Sequence, residues 1–245
     1  LAIILIGLED KVKGIILAGG TGSRLSPLTK VTNKHLLPVG EKPMILHAVD
    51  KLVNANVTNI MIVTGTEHMG DMVNLLGSGQ EFGCGFTFRV QDQPDGIAGA
   101  LKLCRDFVGD DSCVVILGDN IFECDLKAKL FDFTDGCRLF LKKVKDPQRY
   151  GVPVFGDEKI IKIEEKPQDP KSDYAVTGIY VYDNNVFDII DILKPSDRGE
   201  LEISDVNNHY ISEGLVSHSI LEGWWTDAGT HESYRYANLI LMEDK

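Results

Sequence analysis

The sequence predicts an α/β fold built on a mixed, mainly parallel sheet, and three observations predict it. Short apolar runs alternate with segments of helical periodicity through the first half of the chain, the order expected of βαβ units. Three of those apolar runs stop at glycine-rich or polar stretches, at 19–24, 91–96 and 118–120. Open α/β sheets bind their ligands at such carboxyl ends of strands. In the second half, strand-like runs follow one another across turns, which predicts an antiparallel-rich lobe that continues the sheet.

The first strand is Ile15, Ile16, Leu17 and Ala18, and it ends at Gly19, Gly20 and Gly22, with Arg24 directly behind and Lys34 ten residues further on. Glycine lets backbone N–H groups approach a ligand closely and point the same way, so this loop can form a nest for oxyanions, with cations beside it. Two better-known phosphate loops fail on spacing. A dinucleotide fingerprint starting at Gly20 needs glycine where Leu25 stands, and a P-loop starting at Gly14 needs lysine where Gly20 stands.

From Pro43 the residues Ile45, Val49, Leu52 and Val53 fall on one helical face, and proline suits a helix start. A buried strand follows at 59–64. Met69, Met72, Val73 and Leu76 then form a helix that stops at Gly77, its methionines serving as core filler. The run 86–91 alternates as a strand, and after Pro94, Asp95 and Gly96 one helix carries Ile97, Ala100, Leu101, Cys104 and Val108. The apolar strand 114–117 halts at Gly118, Asp119 and Asn120. Strands at 138–144, 152–155, 159–164 and 175–182, helices at 186–193 and about 201–213, a strand near 216–220, a loop at 223–230 and a last helix complete the chain.

A formal net charge of −12 argues against nonspecific binding to nucleic-acid polymers or to anionic membranes, since both need basic surface. A phosphate site must therefore be a local basic patch or use a metal ion. The five cysteines are widely spaced, odd in number and without a C-x-x-C pair, as expected of reduced thiols in a cytoplasmic protein. The apolar start, LAIILIGL, is far shorter than the roughly 20 residues that span a bilayer, and it has no basic flank, so it reads as neither anchor nor signal peptide. Residues 1–12 read as an extension or leader, and 13–245 as one domain.

Read together, LAGGTGSRL (17–25), NKHLLPV (33–39), QDQPDG (91–96), LGDN (117–120), RYGV (149–152), EEKP (164–167), YAVTGIY (174–180), RGELEISDVN (198–207) and WTDAGT (225–230) resemble the sugar-1-phosphate nucleotidylyltransferases, in order, over about residues 13–240. The pattern is most similar to the thymidylyl-transferring members. The resemblance implies a three-layer αβα, Rossmann-like nucleotidyltransferase fold, with a nucleotide-binding half at 13–120, a sugar-phosphate-binding half at 121–230 and a C-terminal helix at 231–245.

It also implies a reaction: transfer of a nucleotidyl group from dTTP to glucose 1-phosphate, giving dTDP-glucose and pyrophosphate. Arg24 and Lys34 correspond to the catalytic cations, suited to pyrophosphate oxygens and to the α-phosphate. Leu17, Gly19, Gly20, Gly22, Gln91 and Gly96 correspond to nucleotide-binding positions, and a glutamine offers both donor and acceptor to a base edge. Glu165 is implied for sugar hydroxyls and Lys166 and Arg198 for the sugar phosphate, with Tyr150, Gly151 and Val176 as pocket walls. Taken alone, Glu165 and Lys166 would be a solvated turn and Arg198 a neighbour of the next helix. Asp119 and Asp227 are implied as ligands of Mg²⁺. Trp224 is a second aromatic that would wall the sugar site or fill core.

Two departures bear on the base: His35 stands where glutamine is frequent, and Gly99 where a polar residue is. Longer members continue past the last helix, and this sequence is expected to lack the allosteric control that the continuation carries. A homo-oligomer is compatible with the pattern. A uridylyl- or adenylyltransferase, or a noncatalytic nucleotide-sugar-binding protein on the same scaffold, stays open.

Overall fold

A computed structural model describes residues 12–130 and 132–243. The leader reading falls almost wholly on residues 1–11, outside the described residues. The chain runs β1 (Val12–Ala18), the short ribbon β2 (Pro38–Val39) and β3 (Lys42–Pro43), α1 (Met44–Asn54), β4 (Asn59–Gly65), α2 (Met69–Leu76), β5 (Gly85–Gln91), α3 (Ile97–Lys102), α4 (Arg105–Val108) and β6 (Ser112–Leu117). Next come β7 (Asn120–Phe122), α5 (Lys127–Leu130), β8 (Cys137–Lys143), β9 (Gly151–Gly156), β10 (Lys159–Glu165), β11 (Tyr174–Tyr182), α6 (Val186–Ile192), α7 (Ile203–Ser212), β12 (Val216–Ile220), β13 (Trp225–Asp227) and α8 (His231–Glu243).

Strands β5, β4, β1 and β6 lie side by side and parallel. β11 joins β6 antiparallel and carries the second half of the sheet, pairing with β8 and β9, which extend to β12 and β10. Successive strand residues point to opposite faces. Ile15 and Leu17 therefore pack with Leu101, Phe187 and Val206 of α3, α6 and α7, while Ile16 and Ala18 pack with Ile45, Val49 and Met72 of α1 and α2. These two cores make the αβα layering, and each fully buried aliphatic side chain contributes about 1.5–3 kcal/mol to it.

The expected single helix from 97 to 108 is two, α3 and α4. At the break Leu103 N–H donates to Ala100 O and Cys104 N–H to Leu101 O, a tightening to i−3 bonding that ends the α-helical ladder. Cys104 still faces the core. All five thiols are free, and burial pushes those of Cys104 and Cys113 up, the first to about 12. No helix among the described residues is long and apolar enough to cross a membrane.

Candidate active site

The glycine loop leaves β1 between two strands whose own ends carry polar loops. Leu17 is buried and its carbonyl accepts from Gly118 N–H (2.9 Å), so Leu17 holds the floor together and lines neither of the two cavities described here. A Cβ on Gly19 would lie 2.8 Å from Gln91 Oε1, so only glycine lets the two strand ends close on each other. Gly20 sits beside the Lys34 ammonium, where a Cβ would be 3.5 Å from Nζ. Gly22 has φ +66° and its carbonyl accepts from Thr29 Oγ1 (2.9 Å). Gly19, Gly20 and Gln91, with Gly65 and Asp92, line a cavity of about 190 Å³. Gly22 and Gly96 stand outside its lining; the Gly96 carbonyl instead accepts from Gln91 Nε2 (3.4 Å).

A second cavity, of about 210 Å³, is lined by Arg24, both aspartates Asp119 and Asp227, and all six residues expected on the sugar-phosphate side: Tyr150, Gly151, Glu165, Lys166, Val176 and Arg198. They arrive from seven separate stretches of chain. The register break in β11 between Val176 and Tyr180 opens room for Gly178, whose N–H donates to Asn120 Oδ1 (2.9 Å). Lys166, at the end of β10, has φ +44° and donates its N–H to Tyr150 O (3.0 Å). Such a backbone is uncommon away from glycine and clusters at ligand sites. Its Nζ lies 3.2 Å from Glu165, and Arg198 holds Glu202 in two bonds of 2.8 and 2.9 Å, four residues along, just ahead of α7. Leu201 N–H donates to Asp95 O (2.8 Å), and Leu201 O accepts from Ala98 N–H (3.3 Å).

Lys34 is in the lining of neither cavity but stands between a wall residue of each, Gly20 and Asp119. Its buried ammonium touches the Gly20 side and contacts Asp119 Oδ2 at 2.5 Å. Burial alone would raise the Asp119 carboxyl, but the charge and hydrogen bond of Lys34 outweigh it and hold that carboxyl well below the usual range. Asp227 lies opposite Asn120 in the β13–β7 pair, and Ala228 N–H donates to Asp119 O (2.8 Å), so residues far apart in sequence meet. Burial, then the charge of Asp119, pushes the Asp227 carboxyl up to about 6, against the pull of Arg149 and the Tyr150 hydroxyl, which donates to Oδ1 at 3.2 Å.

A carboxyl raised in the fold from 3.8 to about 6 favours folding below pH 3.8, and that contribution is lost as pH rises through 6. Asp227→Asn escapes the loss. Calorimetric melting at pH 7 is expected to show it about 2–4 °C above wild type, the shift that about 1 kcal/mol gives in a domain of this size, with the gap closing below about pH 4.

The Nucleotidyl transferase family profile matches residues 13–244. The chain belongs to the nucleotidyl transferase family. Among relatives, a glucose-1-phosphate thymidylyltransferase of Neisseria meningitidis is 45% identical over 92% of this chain and 81% of that protein. One from Mycobacterium tuberculosis is 41% identical over 91% of this chain and 79% of that protein. A crystal structure of a protein from Bacillus anthracis assigned as a glucose-1-phosphate thymidylyltransferase, in complex with a sucrose, superposes with a TM-score of 0.91 at 60% identity, covering 94% and 95% of the two chains. UDP-glucose pyrophosphorylase complexed with UDP-glucose superposes at 0.84 with 25% identity, covering 96% of this chain and 100% of that one.

Nucleotidyl transferases of this kind generally use a divalent metal, and the donor set here fits one. Asp119 and Asp227 are two hard carboxylates on adjacent strand ends whose mutual repulsion in a buried setting a dication would relieve. Among the described residues no group of three or more metal-ligating side chains exists, so phosphate oxygens would have to complete the shell of a divalent ion.

Two sequence expectations are redrawn, and one residue is added. Trp225, rather than Trp224, lines the sugar-side cavity, its Nε1 donating to Asn120 Oδ1 (2.8 Å), while Trp224 lies outside. His35 does not face the base-side cavity: it is buried behind Gly118, whose Cβ would lie 2.7 Å from His35 Cδ2, and burial with the Lys34 charge lowers its pKa to about 3. Arg149 was missed; its guanidinium sits 3.6 Å from Asp227, and RYGV carried the only signal.

Proposed function

We propose that this chain transfers a thymidylyl group from dTTP to glucose 1-phosphate, giving dTDP-glucose and pyrophosphate. The observation that carries the reading is the position of Lys34, with its ammonium between a glycine-lined cavity suited to a nucleotide and a second cavity lined by Lys166 and Arg198. A phosphate oxygen of the sugar bonds to the α-phosphorus while the bond from that phosphorus to the bridging oxygen breaks, and pyrophosphate departs in line. Catalysis of this kind rests on positioning and on charge neutralisation.

Arg24 and Lys34 neutralise the leaving side, and Lys166 and Arg198 hold the attacking phosphate. Glu165 accepts from sugar hydroxyls between the walls Tyr150, Gly151 and Val176. Gln91 and the backbone of Gly19 and Gly20 receive the nucleotide. Mg²⁺ on Asp119 and Asp227 supplies further charge neutralisation when bound. The relatives' names support dTTP and glucose 1-phosphate as the pair.

Pyrophosphate release measured across dTTP, UTP, ATP and CTP with several sugar 1-phosphates tests this. The fastest turnover is expected with dTTP and glucose 1-phosphate. A preference for UTP or ATP would move the chain to the uridylyl or adenylyl reading, and turnover with none would make it a binding protein.

A further inference from the structure

Gly99 lies in the first turns of α3, buried, and a Cβ built there would meet three atoms of the Asp95 carboxyl group at 2.3–2.6 Å. The space a side chain at 99 would take is filled by Asp95. From that seat Asp95 Oδ1 accepts from Gln91 Nε2 at 2.5 Å, and the Gly96 carbonyl accepts from the same nitrogen at 3.4 Å. An ionised carboxylate and a carbonyl only accept, so the amide nitrogen of Gln91 must face them. Its Oε1 is thereby turned the other way, toward Gly19 and the cavity that both residues line.

We propose that Asp95, admitted by Gly99, is a positioning residue that fixes the Gln91 amide with its acceptor toward the base. This rests on the base occupying the Gly19–Gln91 cavity. An inward acceptor pairs with the imide N3–H of thymine or uracil. Against cytosine, whose N3 is itself an acceptor, it sets two lone pairs face to face. A site that bonds an N–H disfavours an analogue without it, because its own half-buried acceptor then faces a second acceptor. Freed from Asp95, the Gln91 amide can rotate and offer Nε2 instead, so selection between the two bases is lost.

Two substitutions reach Asp95 from opposite directions. Asp95→Ala removes the acceptor. Gly99→Ala leaves Asp95 in the sequence but occupies its seat, at a backbone conformation that alanine adopts freely, and alanine favours a helix over glycine. The ratio of dTTP to dCTP is read in the full chain both as kcat/KM and as Kd by calorimetry, with melting curves to establish folding. Each variant is expected to lower the ratio by about tenfold or more. The double variant Asp95→Ala/Gly99→Ala should lower it no further than Asp95→Ala alone, since both act through one contact.

A ratio that stays at the wild-type value in both folded variants overturns the proposal, as does an equal loss for both nucleotides, which is what a purely structural role would give. Absence of turnover in wild type would sink the transferase reading, while the Kd ratio would still decide the role of Asp95. A wild type that binds dTTP and dCTP equally would overturn the base placement and this proposal together.

Discussion

Lys34→Ala is expected to lower kcat by on the order of 10² or more, the usual consequence of removing one preorganised charge from a reacting phosphate. The ammonium sits between the two cavities with little exposed surface, where its charge is poorly screened and water is a weak substitute. The same change strands Asp119, whose carboxylate is largely shielded from water and has Lys34 as its ion-pair partner. Breaking a buried pair by removing one member destabilises by several kcal/mol in many proteins. Turnover must therefore be measured below the melting temperature of the variant. Near-normal kcat in folded Lys34→Ala would remove Lys34 from the mechanism.

Asp119→Asn is expected to lower Mg²⁺-supported turnover by about 10²-fold or more and to shift the metal titration of the rate to higher concentration. Asparagine keeps the shape and one side-chain acceptor, and the Ala228 N–H bond, which is to the backbone carbonyl of residue 119, is untouched. What goes is the charge that a hard dication requires, and with it the ion pair to Lys34, so it is the shift in metal dependence that identifies Asp119 as a metal ligand. An unchanged metal dependence would show that the metal is held elsewhere.

Much of the site was legible because its residues sit at strand ends, where the sequence pattern changes abruptly. The apolar run before Gly19 and the one before Gly118 mark β1 and β6 plainly, and those strands are neighbours, so Lys34 and Asp119 meet. Finer choices depended on phase. In a three-residue strand such as β13, one step along the chain turns a side chain to the other face, and no sequence pattern decides between Trp224 and Trp225.

His35 and Gly99 looked equivalent as departures because each adjoins a motif. The sheet separates them: the stretch bearing His35 packs behind Gly118, while β5 delivers Gln91 and the loop before Gly99 to the glycine side. The break between α3 and α4 had no signal at all, since no proline or glycine marks it. Leu17 illustrates a last limit, for its strand position was plain but not that Gly118 takes up its carbonyl.

The paired bonds at Leu201 have a mechanical consequence. They tie the segment of Asp95 and Ala98, at the start of α3, to the segment that carries Arg198 through two backbone hydrogen bonds. Fixing the backbone of one residue costs roughly 1–2 kcal/mol, and separate loops would incur that cost for each substrate. Here each segment braces the backbone of the other, so part of that ordering is already met in the fold before any substrate arrives.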